Sequence, residues 1–107
     1  MTRMILQRHG YRVFEAINAA DALEIWRQHS ASIQLVLTDI VMPGGLNGLD
    51  LVQRLRAERP DLKVIYLSGY SQELAGRDLK LEPGQEFLQK PFSPVMLLET
   101  VRHSLDS

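Results

Sequence analysis

The stretch Leu35-Val36-Leu37-Thr38-Asp39-Ile40-Val41-Met42-Pro43-Gly44 decides how this chain folds. An apolar run leads directly into an aspartate, and a Pro-Gly turn stops the chain just after it. Ile33 to Thr38 is apolar except for Gln34, which suits a parallel strand covered on both faces. A carboxylate at the end of such a strand is costly to hold unless its charge is paired or used, because an ionised group loses hydration on burial.

Working outward, the pattern after Asp39 alternates between helix and strand. A helix is expected from about Gly48 to Glu58, with Leu51, Val52 and Leu55 as its inner stripe, ended by Pro60-Asp61. Leu62 to Leu67 reads as the next strand and runs into Ser68-Gly69-Tyr70. Ser71 to Leu81 reads as a helix weakened by Gly76, which costs about 1 kcal/mol relative to alanine. Glu82-Pro83-Gly84 turns the chain into a short strand, Glu86 to Gln89. Ser93 or Pro94 then opens a last helix, with Leu98, Val101 and Leu105 as its inner positions.

Upstream, Met4, Ile5 and Leu6 are the candidates to face a core from a helix that stops at Gly10. Tyr11 to Ala16 alternates as a short strand does. Asn18 is a cap for a helix through about His29, with Ala22, Ile25, Trp26 and His29 on one face. No internal repeat, low-complexity tract or linker interrupts the pattern, so residues 1–107 are read as one domain.

Alternating strands and helices predict an open parallel sheet with helices on both faces. Ligands and chemistry gather at the carboxyl ends of the strands in such sheets. Asp39, Ser68 and Lys90 each follow a separate expected strand, which brings a carboxylate, a hydroxyl and a cation to one edge. Moving a phosphoryl group onto a carboxylate requires its oxygens to be neutralised and held in line. Lysine can pair with one oxygen, serine can donate to another, and a divalent cation held by carboxylates handles the remaining charge.

Composition narrows the alternatives. Of 107 residues, 45% are hydrophobic and 23% charged, with a net charge of -1, so bulk electrostatics favour neither nucleic acid nor an anionic membrane. The absence of cysteine removes disulfides, thiolate metal sites and cysteine catalysis together. The first residues are too few and too charged for a signal peptide, and no apolar stretch nears a membrane span, so a cytoplasmic domain is expected.

The chain resembles the receiver domain of two-component response regulators from its first helix to its end. Three motifs carry the resemblance: Thr38-Asp39-Ile40-Val41-Met42-Pro43-Gly44, Leu67-Ser68-Gly69-Tyr70 and Phe87-Leu88-Gln89-Lys90-Pro91-Phe92. It implies a flavodoxin-like, doubly wound α/β/α sandwich. In that family Asp39 would be the phosphoacceptor, Ser68 the switch hydroxyl, Lys90 the site lysine and Phe87 the aromatic switch. Lys90-Pro91 would be cis. Mg²⁺ would be held by Asp39, by the backbone carbonyl of Val41 and by an acidic pair. The implied partner is a histidine kinase or a phosphotransfer domain, with no enzymatic role beyond self-phosphorylation and self-dephosphorylation. Gly44-Gly45, Ser-Gly-Tyr and Gln-Lys-Pro-Phe look most like the C-terminal receivers of hybrid histidine kinases.

One part of the family pattern is missing. Its acidic pair ends a first, central strand, and both are expected upstream of Met1. Glu15 and Asp21 fall at the second strand and the following helix, so neither substitutes. Losing three or four buried aliphatic residues would remove on the order of 5–12 kcal/mol, comparable to the stability of a whole domain. The expectation is therefore that Tyr11–Ala16 pairs directly with the strand ending at Asp39, or that a second copy fills the gap as a homodimer or by strand exchange. The competing reading is a truncated pseudo-receiver that acts as a protein-interaction module without Mg²⁺-dependent phosphorylation. A free-standing phosphatase is disfavoured, since nothing suggests a substrate pocket or a second catalytic carboxylate.

Other candidates have plainer readings. His9, His29 and His103 lack metal-ligand spacing and are read as structural or solvated. Trp26 is read as core or half-exposed, and Tyr70 and Val41 as residues able to shield a phosphoaspartate from water.

Overall fold

The computed structural model describes residues 2–39, 48–68 and 84–106. In chain order its elements are α1 (Thr2–Arg8), α2 (Ala19–His29), β1 (Leu35–Asp39), α3 (Gly48–Glu58), β2 (Lys63–Ser68), β3 (Gln85–Gln89) and α4 (Pro94–Asp106). The strands form a parallel sheet in the order β1-β2-β3. The helix expected over Ser71–Leu81 lies outside the described residues.

Side chains on a strand alternate between faces, and the sheet sends them into two separate cores. On one face Val64 and Tyr66 of β2 join Trp26 of α2 and Leu51, Val52 and Leu55 of α3, with Val36 and Phe87 packed against them. On the other, Ile65 and Leu67 of β2 and Leu88 of β3 join Leu6 of α1 and Leu97 and Val101 of α4, with Leu35 and Leu37 alongside. The result is the three-layer α/β/α architecture that the alternation predicts. Val64 and Ile65 are fully buried, whereas Leu35, Val36 and Leu37 of β1 are half-buried.

Local chemistry sets the boundaries. The Asn18 side chain accepts a hydrogen bond from the Asp21 amide at 2.8 Å and caps α2. Ser93 does the same for α4, accepting from the Met96 amide at 3.1 Å. Gly10 ends the turn after α1 with a φ of 89°, a conformation that residues bearing a Cβ rarely adopt. β1 begins at Leu35 rather than Ile33. The carbonyls of Ser30 and Ile33 are instead taken by the Arg59 guanidinium, which also lies over the Trp26 ring at 5.6 Å.

Two expectations need correction. Residues 11–16 do not form a strand, and they make no ladder with β1. Part of the alternation survives as contact: Tyr11 and Val13 pack toward the α1/α4 core and Arg12 is exposed, but Glu15, which alternation puts on the face of Tyr11 and Val13, is exposed too. A strand also needs a neighbour for its backbone groups, and periodicity carries no information about that. Direct pairing of this segment with the Asp39 strand is thus overturned, and among the described residues the outer edge of β1 has no strand beside it. In α4 the sealed positions are Leu97, Val101 and Ser104, with Leu98 and Leu105 flanking them.

Candidate functional site

Register brings the three expected site residues to the same edge of the sheet. Asp39, the last residue of β1, lies opposite Leu67, and Ser68, the last of β2, lies opposite Gln89. Lys90 follows directly. Asp39 and Lys90 are separated by the middle strand, a gap of about 10 Å at ordinary strand spacing. The long lysine arm closes it: Nζ lies 2.6 Å from Oδ1 of Asp39. The two side chains are 43% and 48% exposed, so the pair contributes little to stability, about 0–1 kcal/mol. Its significance is geometric, since it aims a cation at a strand-end carboxylate.

The peptide of Asp39 is held from a second direction. Thr38 is buried, and its hydroxyl donates to the Asp39 carbonyl at 3.0 Å. Gly48, the first residue of α3, approaches the same carbonyl. A Cβ at Gly48 would fall 2.0 Å from the Asp39 oxygen and 3.1 Å from Thr38 Oγ1, so any side chain there would force the helix and the strand end apart. The chain that leaves the sheet at Asp39 thus returns against the same residue at Gly48. Neither Thr38 nor Gly48 was singled out from sequence. Glycine is an ordinary residue at a helix start, and the contact it permits here is tertiary, so residue order carries no signal for it.

Phe87 lies opposite Tyr66 and packs, half-buried, against the α2/α3 core. Lys90-Pro91 is cis, as the resemblance implies. Ser68 sits on the strand between the two charged residues. Val41 and Tyr70 lie outside the described residues, so the shield expected of them does too. Trp26 is core, at 3% exposure. The histidines are apart from the site: His9 Nδ1 meets the Ile5 carbonyl at 3.0 Å, His29 stacks on Phe14, and His103 pairs with Glu86.

Mg²⁺ prefers near-octahedral oxygen coordination. Among the described residues no three acidic or histidine side chains converge on a point. One oxygen of Asp39 faces a cation, Glu15 pairs with Arg3 at 3.2 Å, and Asp21 accepts from the Ile17 amide at the start of α2. This donor set does not by itself make a Mg²⁺ site.

Comparison with known proteins decides the family. Residues 1–102 match the response regulator receiver domain. The chain belongs to that family. Receiver domains are signalling domains of two-component systems and typically bind Mg²⁺. This receiver is 39% identical over 101 residues to the sensor kinase CckA of Brucella abortus, a match covering 94% of this chain and 11% of that protein. It is 34% identical over 87 residues to the response regulator receiver protein CpdR of the same organism, covering 81% and 70%. It therefore spans only a small part of CckA but most of CpdR. Among solved structures, the receiver domain of NtrX from Brucella abortus superposes with a TM-score of 0.85 at 27% identity, covering 99% of this chain and 88% of that one. No helix among the described residues is long and apolar enough to cross a membrane.

Proposed function

We propose that this receiver accepts a phosphoryl group on Asp39 from a phosphohistidine of a histidine kinase or phosphotransfer domain. A carboxylate oxygen of Asp39 attacks phosphorus, forming the P–O bond of an acyl phosphate. The P–N bond breaks, and its electron pair leaves with the imidazole nitrogen, which takes up a proton. Lys90 neutralises charge on the transferring group, and Ser68 donates a hydrogen bond to one of its oxygens. Ser68 and Phe87 then carry the change outward. The observation that supports this reading most strongly is the 2.6 Å approach of the Lys90 ammonium to Asp39 across the middle strand. Similarity to a sensor kinase over part of its length fits a receiver attached to, or working with, a hybrid kinase.

A second reading is an interaction module that keeps the fold without Mg²⁺-dependent phosphorylation. It is favoured by the lack of a converging acidic cluster among the described residues. Acetyl phosphate and beryllofluoride, each offered with and without Mg²⁺, separate the two. Intact-mass analysis after acetyl phosphate, and the fluorine NMR signal of bound beryllofluoride, are expected to show an adduct in the wild type and none in Asp39→Asn. A chain that takes no adduct under any of these conditions is not a phosphoacceptor, which leaves the interaction module as the remaining reading.

A further inference from the structure

We propose that Thr38 and Gly48 are positioning residues for phosphoryl transfer, acting by clamping the peptide of Asp39. The inference rests on the phosphoacceptor reading of that residue. An aspartate has one methylene between Cα and carboxylate, so a displaced peptide carries the reactive oxygens with it almost undiminished. Asp39 is also the last residue of a strand whose ladder runs on one side only among the described residues. Such an end is free to fray unless something holds it from another direction.

The clamp supplies that hold. The Thr38 hydroxyl donates to the Asp39 carbonyl at 3.0 Å. The bare Cα of Gly48 lets the first turn of α3 close over the same oxygen, where a Cβ would sit 2.0 Å away. Thr38 Oγ1 lies 3.1 Å from that same point, so hydroxyl, carbonyl and helix start form one contact. The carboxylate it steadies is the one Lys90 reaches. In-line transfer is sensitive to this alignment, and a misplacement of about 1 Å costs on the order of 100-fold in rate.

Three variants test the clamp. Thr38→Val keeps the shape and removes the donor, Thr38→Ser restores the donor, and Gly48→Ala inserts the Cβ. Two readouts are taken on folded protein, checked by circular dichroism. The first is the dependence of phosphorylation rate on acetyl phosphate concentration in Mg²⁺. The second is the ¹³Cγ chemical shift of Asp39 at one neutral pH, referenced to Lys90→Ala.

In Thr38→Val the maximal rate is expected to fall about fivefold, the equivalent of one hydrogen bond, with the half-saturating concentration unchanged. Thr38→Ser recovers to within about twofold of the wild type, and Gly48→Ala loses about 100-fold. The Asp39 resonance moves toward its Lys90→Ala position in Thr38→Val and Gly48→Ala. Wild-type rates together with an unmoved resonance in both would overturn the clamp. If Gly48→Ala does not fold, the Thr38 pair decides on the same criteria. If the wild type takes no phosphoryl group, the phosphoacceptor reading fails by itself, and the resonance decides whether the clamp positions the carboxylate.

Discussion

Lys90 meets Asp39 by reaching over β2, so the ion pair joins the two outer strands of the described sheet across the end of the middle one. The link lies at the edge where the chain leaves β1, β2 and β3 in turn. A substitution at either end should therefore affect chemistry far more than folding.

Lys90→Ala is expected to lower the rate of Asp39 phosphorylation by about 100-fold or more, the usual effect of removing a charge-stabilising donor from a transition state. Stability should change by no more than about 1 kcal/mol, because both partners are half exposed. Single-turnover labelling and urea unfolding measure the two effects separately.

Arg59 offers the opposite case. Its guanidinium bonds the carbonyls of Ser30 and Ile33 and covers Trp26. Arg59→Ala should cost about 2–4 kcal/mol, as two charge-assisted hydrogen bonds and a cation–π contact are lost. Arg59→Lys should recover only part of this, since a lysine lacks the planar fork. Denaturant midpoints at constant m-value report both.

Leu97 and Val95 lie two residues apart on α4 in very different surroundings, fully buried and 61% exposed. Leu97→Ala is expected to destabilise by about 2–5 kcal/mol. Val95→Ala should stay within about 0.5 kcal/mol. A calorimetric comparison of the two variants distinguishes core from surface on a single helix.

Hydrogen bonds from Arg27 and then Gln28, reinforced by the Arg27 charge, hold the Glu24 carboxyl below its ordinary value of 4.5. A depressed carboxylate stabilises the fold above its unfolded-state pKa, and that contribution disappears as pH falls through the folded value. NMR titration should find Glu24 below 4.5 in the wild type and shifted upward in Arg27→Ala.

Much of this was legible from residue order. α3 has the bounds expected from Leu51, Val52 and Leu55, and the strand end at Asp39 follows from the apolar run that precedes it. The pattern was least informative where backbone or polar atoms decide the outcome. Alternation in Tyr11–Ala16 holds for Tyr11, Arg12 and Val13 and fails at the exposed Glu15, and whether a strand forms depends on a neighbouring backbone. In α4 the buried line passes through Ser104, and a polar residue hides such a line from hydrophobic periodicity. The contact of Gly48 with Asp39 was invisible for another reason. It depends on where two elements meet in space, and a glycine in sequence does not say what it is making room for.

The middle strand has both faces sealed, by α2 and α3 on one side and by α1 and α4 on the other, and carries ladders on both edges. Its amides have no route to solvent short of opening the sheet. In deuterated buffer the protons of Val64 and Ile65 should be the last to exchange, reporting global unfolding, while those of β1 exchange earlier through local opening. The residue that delivers the carboxylate thus stands on the labile margin of a sheet whose centre is its most protected part.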